Sequence, residues 1–178
     1  MPIHDDHFSL FDLPARFALD QAALEDAYKR VQSQVHPDRF ASATAAERRV
    51  AMQWAARANE ALQTLRSPVR RAAYLCEKNG VPIDAESNTA MPGSFLAHQM
   101  QWREELDDVC ATPNGERLHA LGEDVASVRA KTLEQLEAAL DVAHDFRSAA
   151  GLVRRLMFIE RFNDELSSRL AADATRAT

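Results

Sequence analysis

The chain has 178 residues, enough for one ordinary domain or two small ones. Apolar residues make up 46% and charged residues 27%, the balance of a soluble folded protein rather than a disordered or membrane-spanning one. The net charge of −6 is unevenly placed, with 11 basic and 10 acidic residues through Lys78 and 10 basic and 17 acidic from Asn79 onward. Neither part is basic enough to expect a nucleic-acid partner, and the acidic second part suggests a separate module. The start, Met1 to His7, lacks the basic and apolar stretches of a signal peptide, so a cytoplasmic location is expected, with no membrane partner. Abundant Ala, Leu, Glu, Arg and Gln, few Gly and no β-branched runs predict an all-α fold.

In chain order, His4, Asp5, Asp6 and His7 read as a mobile polar tail rather than a cation site. Phe8, Leu10, Phe11 and Leu13 predict one or two helical turns packed on something larger. A helix is expected from Asp20 as N-cap, with Leu19 and Leu24 as a hydrophobic staple. Leu24, Ala27, Tyr28, Val31 and Val35 form its apolar face, and Pro37 ends it. Thr44 and Glu47 spell a capping box that opens a second helix. Its stripe is Ala51, Trp54, Ala55, Ala58, Ala61, Leu62 and Leu65, whose small residues favour close packing in an antiparallel hairpin. Ser67 and Pro68 start a short helix that should stop at Asn79 and Gly80.

Residues 79–91 are rich in turn formers and mark a linker between residues 1–78 and 92–178. Three helical patterns follow, at about 92–111, 115–147 and 149–171, as expected for a three-helix bundle. The middle one is striped by Leu118, Leu121, Val125, Val128, Thr132, Leu136, Leu140 and Ala143. The last is striped by Leu152, Leu156, Ile159, Leu166 and Leu170. Cys76 and Cys110 stand alone in helical patterns and read as buried small apolar residues. His119, His144, Asp145 and Asp164 lack the ligand spacing of a metal-dependent phosphohydrolase, so no catalytic residue, resident metal or cofactor is expected.

His36-Pro37-Asp38 falls at the hairpin tip, where function tends to sit, though the tripeptide alone is an ordinary turn. Its context is more specific. Ala27 to Phe40 resembles the second helix and loop of J domains in residue type and register. His7 to Pro14, Ala58 to Leu62 and Ser67 to Tyr74 resemble their first, third and fourth helices in order. The resemblance implies docking on a DnaK-type ATPase and stimulation of its hydrolysis. Asp38 would bond a basic group of the chaperone, while His36 and Pro37 hold the loop's shape. Lys29 and Arg30, with Arg39, would meet an acidic surface; without the loop they would be a solvated helix face.

The spelling Phe8 to Arg16 and His36 to Phe40, together with Phe95 to Asp107, resembles the HscB family over nearly the whole chain. That family comprises J-domain co-chaperones of iron–sulfur cluster assembly, not enzymes. It implies an HscA-like chaperone and an IscU-like scaffold as partners. At roughly 100° per residue, Phe95, Trp102, Leu106 and Val109 face the bundle core, while Leu96, Ala97, Met100 and Glu104 lie off that stripe. Phe158 lies off the stripe of the last helix. Such residues are either covered by a neighbour or form a partner patch, and pattern alone leaves both open. The resemblance implies the second: Leu96, Ala97, Met100, Gln101, Glu104 and Phe158 would bind the scaffold. Two positions depart from the family pattern. Ala97 stands where a larger apolar residue is expected and Gln101 where an acid is, so a smaller patch is expected. The rival reading is a J-domain co-chaperone that delivers a different client to a general DnaK.

Overall fold

The computed structural model describes residues 6–35, 43–84, 92–111 and 114–176. These residues are all-helical, with no strand among them. The order is α1 (His7–Leu10), α2 (Gln21–Val35), α3 (Ala45–Arg66), α4 (Pro68–Lys78), α5 (Gly93–Ala111), α6 (Gly115–Glu137) and α7 (Phe146–Arg176), with a π-helical turn at Ala138–Val142.

Local chemistry explains the ends. Asp20 Oδ1 accepts the Ala22 N–H at 2.9 Å and opens α2. Thr44 and Glu47 complete a reciprocal capping box at α3, with the Thr44 N–H donating to Glu47 Oε2 at 2.8 Å. Ser67 caps α4 ahead of Pro68, and the chain leaves that helix through Asn79 and Gly80, whose φ of +76° suits a residue without a Cβ.

At the N-terminus, Asp6 and His7 are part of the fold rather than a tail. Asp6 Oδ1 accepts the N–H groups of Phe8 and Ser9, and Asp6 Oδ2 takes a 2.7 Å bond from Lys78 at the end of α4. His7 is buried, stacks on Tyr74 at 4.3 Å between ring centroids, and donates its backbone N–H to the Tyr74 hydroxyl. Burial lowers the His7 pKa, and the nearby Arg57 charge adds to it. His4 and Asp5 lie outside the described residues.

The hairpin of α2 and α3 closes on Leu24 and Ala27 against Ala58, Ala61 and Leu65, all fully buried. The alanines let the two backbones approach, and Tyr28 bridges the pair by donating its hydroxyl to Asn59 Oδ1 at 2.8 Å. Phe8, Leu10, Phe11 and Phe17 pack into the same core, with Phe11 edge-on to Tyr28. Each large apolar side chain buried this way contributes about 1.5–3 kcal/mol.

This first core is not completed by the N-terminal segment. Leu136 and Leu140 from the end of α6 and its π turn join it, as do Ala149, Ala150, Val153 and Leu156 from the first half of α7. Polar bonds follow the same seam. Asp141 Oδ1 accepts the Phe17 N–H at 2.6 Å and Asp141 Oδ2 accepts the Ala18 N–H at 2.7 Å. Arg154 donates to the Ile83 carbonyl at 3.0 Å, and the Cys76 thiol donates to the Phe146 carbonyl at 3.6 Å. Arg71 is buried above the Phe17 ring and donates to the Leu65 carbonyl. Burial works against its charge and the Asp141 carboxylate works for it.

The second core is the three-helix bundle. Phe95, Trp102, Leu106 and Val109 of α5 meet Leu118, Leu121, Val125 and Val128 of α6 and Ile159, Phe162 and Leu166 of α7. The 31-residue α7 therefore serves both cores, its first half in one and its second in the other.

The middle helix differs from the expected 115–147. Regular α-helix stops at Glu137, the π turn carries the chain to Val142, and His144 takes a left-handed φ of 52°. Asp145 belongs to the next helix, where its carboxylate accepts the Ser148 N–H at 3.0 Å. Ala143, expected on the stripe, is exposed, whereas Leu118 through Leu140 are buried as expected.

Candidate partner-binding surfaces

The first candidate surface is the outer face of α2. Lys29 and Arg30 are exposed there, and Lys29 makes a 3.3 Å pair with Asp26 one turn back. Both partners of that pair are well solvated, so it leaves the face only partly neutralised. The helix runs to Val35 and α3 restarts at Ala45; His36, Pro37, Asp38 and Arg39 lie outside the described residues. Facing solvent on the first half of α3, Arg48, Arg49, Met52, Gln53 and Ala56 border a shallow hollow of about 460 Å³. The α3 stripe left Met52 and Val50 on its outer side, the one sequence signal for this face.

The second candidate surface lies between α5 and α7. Along α5 one face is sealed: Phe95 is 3% exposed and Trp102 1%. The adjoining face is open, with Leu96 44% and Met100 64% exposed and Ala97, Gln101 and Glu104 all at the surface. At roughly 100° per residue these five span one arc of about 140°. Phe158 is half-buried and reaches the edge of this face from α7. Met100, Glu104 and Phe158, together with Gln99 and Arg103, border a groove of about 340 Å³. Gln99 and Arg103 were not singled out from the sequence; both flank Met100 on the helix, at one residue and three residues away.

The groove has a rigid floor. Phe158 meets Phe95 edge-on at 5.9 Å and stacks with Phe162 at 6.3 Å, while Phe162 stacks in turn on Trp102 at 5.3 Å. Trp102 is fixed from its other edge, donating its indole N–H to Asp124 Oδ2 at 2.7 Å; the His98 ring nitrogen lies 2.9 Å from the same oxygen. Although burial opposes its charge, these bonds hold the Asp124 carboxyl below its usual range. Two arginines sit over the ring row. Arg103 covers Phe162 and pairs with Glu165 at 2.9 Å, and Arg155 covers Phe95 with its guanidinium carbon 4.6 Å from the ring centre.

Residues 91–167 match the model of the HSCB C-terminal oligomerisation domain. Over 168 residues the chain is 52% identical to the co-chaperone protein HscB homolog of Burkholderia vietnamiensis, covering 94% of this chain and 95% of that protein. The chain belongs to the HscB co-chaperone family. Another HscB homolog, from Burkholderia mallei, is 51% identical with the same coverage. Among solved structures, chaperone HscB from Vibrio cholerae superposes with a TM-score of 0.80 at 34% identity, over 92% of this chain and 96% of that one. The human co-chaperone HscB superposes with a TM-score of 0.88 over 95% of this chain and 84% of its own; at 22% identity that likeness speaks for the fold. The all-α HscB architecture, a J domain followed by a helical C-terminal domain, is thus the fold of this protein.

The remaining sequence candidates fall elsewhere. His119 is an exposed neighbour of Glu123, the His144 ring lies 2.9 Å from the Leu140 carbonyl, and Asp164 is exposed on α7. Among the described residues no three His, Cys, Asp or Glu side chains group as a metal site. Cys76 is fully buried as expected, while the Cys110 side chain lies outside the described ones. Among the described residues no helix is long and apolar enough to cross a membrane.

Proposed function

We propose that this HscB-family protein carries an IscU-like iron–sulfur scaffold on its C-terminal bundle and delivers it to an HscA-like, DnaK-type chaperone in the cytoplasm. His36-Pro37-Asp38, with Lys29, Arg30 and Arg39, stimulates the chaperone's ATPase. Leu96, Ala97, Met100, Gln101, Glu104 and Phe158 hold the scaffold. The observation that supports the scaffold reading best is the contrast along α5: Leu96 and Met100 are solvent-exposed beside a fully sealed core stripe. Large apolar side chains grouped at the surface favour a protein partner, and the aromatic floor beneath them keeps the patch preformed.

Chemically, the protein supplies binding rather than bond-making. The chaperone's ATP hydrolysis would be coupled to scaffold arrival because the core of the hairpin and the core beneath the scaffold patch are joined by α7. The test is a steady-state ATPase assay with purified HscA-like chaperone, with and without the IscU-like scaffold. Stimulation by this protein, increased further by the scaffold, is expected. A chaperone rate unmoved by either addition would refute the proposal.

A further inference from the structure

Arg103 and Arg155 occupy equivalent positions over the two ends of the Phe95–Phe158–Phe162 row but differ in charge balance. Arg103 is neutralised by Glu165. Arg155 has no carboxylate partner among the described residues, and its Nε is buried without a hydrogen bond. Neighbouring acids on α7 are already engaged, Glu160 with Arg129 at 2.8 Å and Glu165 with Arg103. Partial burial pulls the Arg155 pKa down. Its place over Phe95 gives partial compensation through the ring face, which is weaker than an ion pair.

Arg155 and Phe158 are one helical turn apart on α7 and both meet the Phe95 ring, which places the cation beside Phe158 at the edge of the patch. We infer that Arg155 is a further scaffold-binding residue, taking a carboxylate that the partner carries beside the apolar side chain seated on Leu96, Met100 and Phe158. The inference rests on the reading of this patch as the scaffold site. A carboxylate arriving there would gain a charge-assisted, two-pronged bond to a guanidinium already oriented by the ring below it. The apolar patch would give adhesion and the arginine would select partners with an acid at the right offset.

The test is calorimetric titration of purified IscU-like scaffold into the full chain at about 50 and about 300 mM salt, where screening differs more than twofold in range. Arg155→Gln is expected to weaken binding about tenfold at low salt and to flatten the salt dependence. Arg155→Lys, which keeps the charge, should recover part of the loss together with the salt dependence. Arg70→Gln removes an equal charge from an exposed position on α4 and serves as the control. Leu96→Ala with Met100→Ala should weaken binding at both salt concentrations alike.

Unchanged binding by Arg155→Gln, with the double alanine variant weakened, overturns the role of Arg155 and leaves the scaffold reading standing. A loss in Arg155→Gln that keeps the wild-type salt dependence also overturns it, since that is a packing defect. If the double alanine variant binds as well as wild type, the scaffold reading of the patch fails, and the inference fails with it.

Discussion

The Asp141 carboxylate holds the backbone N–H of Phe17 at 2.6 Å, across a sequence separation of 124 residues. Its second oxygen holds Ala18 at 2.7 Å, so one side chain on a π turn fixes the loop between α1 and α2. Asp141→Ala leaves both amides without this acceptor. A loss of about 2 kcal/mol is expected, within the usual range for bonds to a charged group. Urea unfolding followed by circular dichroism checks it, and a midpoint equal to wild type would show that the loop is held by packing alone.

Asp38→Asn should leave the helices intact and abolish stimulation of the chaperone ATPase. The change removes the charge through which the loop would bond its partner and keeps the side chain's size. Comparing far-ultraviolet dichroism with the stimulated ATPase rate separates folding from docking. A variant that still stimulates fully would end the role given to the loop.

Leu96→Ala and Met100→Ala together should weaken scaffold binding by about tenfold or more, which corresponds to at least about 1.4 kcal/mol. Both side chains are exposed, so the melting temperature should hold. Adding Phe158→Ala deepens the loss but also lowers stability, because Phe158 packs on Phe95 and Phe162. Calorimetry gives the affinity and thermal unfolding the stability.

Acid stability should depend on Asp6. Burial pushes its carboxyl up, but the bonds from Lys78 and Ser9 outweigh it and take the pKa from 3.8 to about 2. A carboxylate with a depressed folded pKa stabilises fully above its unfolded value and loses that contribution as pH falls through the folded one. The loss therefore falls between roughly pH 4 and pH 2. Asp6→Asn keeps an acceptor to cap α1 but removes the charge facing Lys78, so its stability should change less across that window. Parallel urea midpoints for the two proteins from pH 5 to pH 2 measure the difference; identical slopes would contradict it.

Local signals in the sequence carried the fold far. The Thr44–Glu47 box, Ser67 with Pro68, and Asn79 with Gly80 each lie where the helices begin and end, since caps are written within a few residues. Periodicity separated Phe95 and Trp102 from Leu96 and Met100 correctly, because a helix converts spacing into direction. The joining of two segments in one core was not legible. Asp141 looks like any surface acid until a backbone from the other end of the chain meets it. The left-handed His144 carries no glycine to announce the break, and Val153 and Phe162 escaped because the α7 stripe was assigned to one core when it serves two. Arg155 was missed for a similar reason: its missing counter-charge is a property of neighbours on other helices.

The double service of α7 also bears on the order in which the protein is made. The N-terminal helices leave the ribosome first, and small folding units ordinarily close as they emerge. Here Ala149, Ala150, Val153 and Leu156 must arrive before the first core is sealed. A nascent chain that stops short of α7 therefore displays the hairpin on an open apolar seam. Arrival of the first half of α7 closes that seam, so the hairpin's core is complete only once the chain has been made through Leu156.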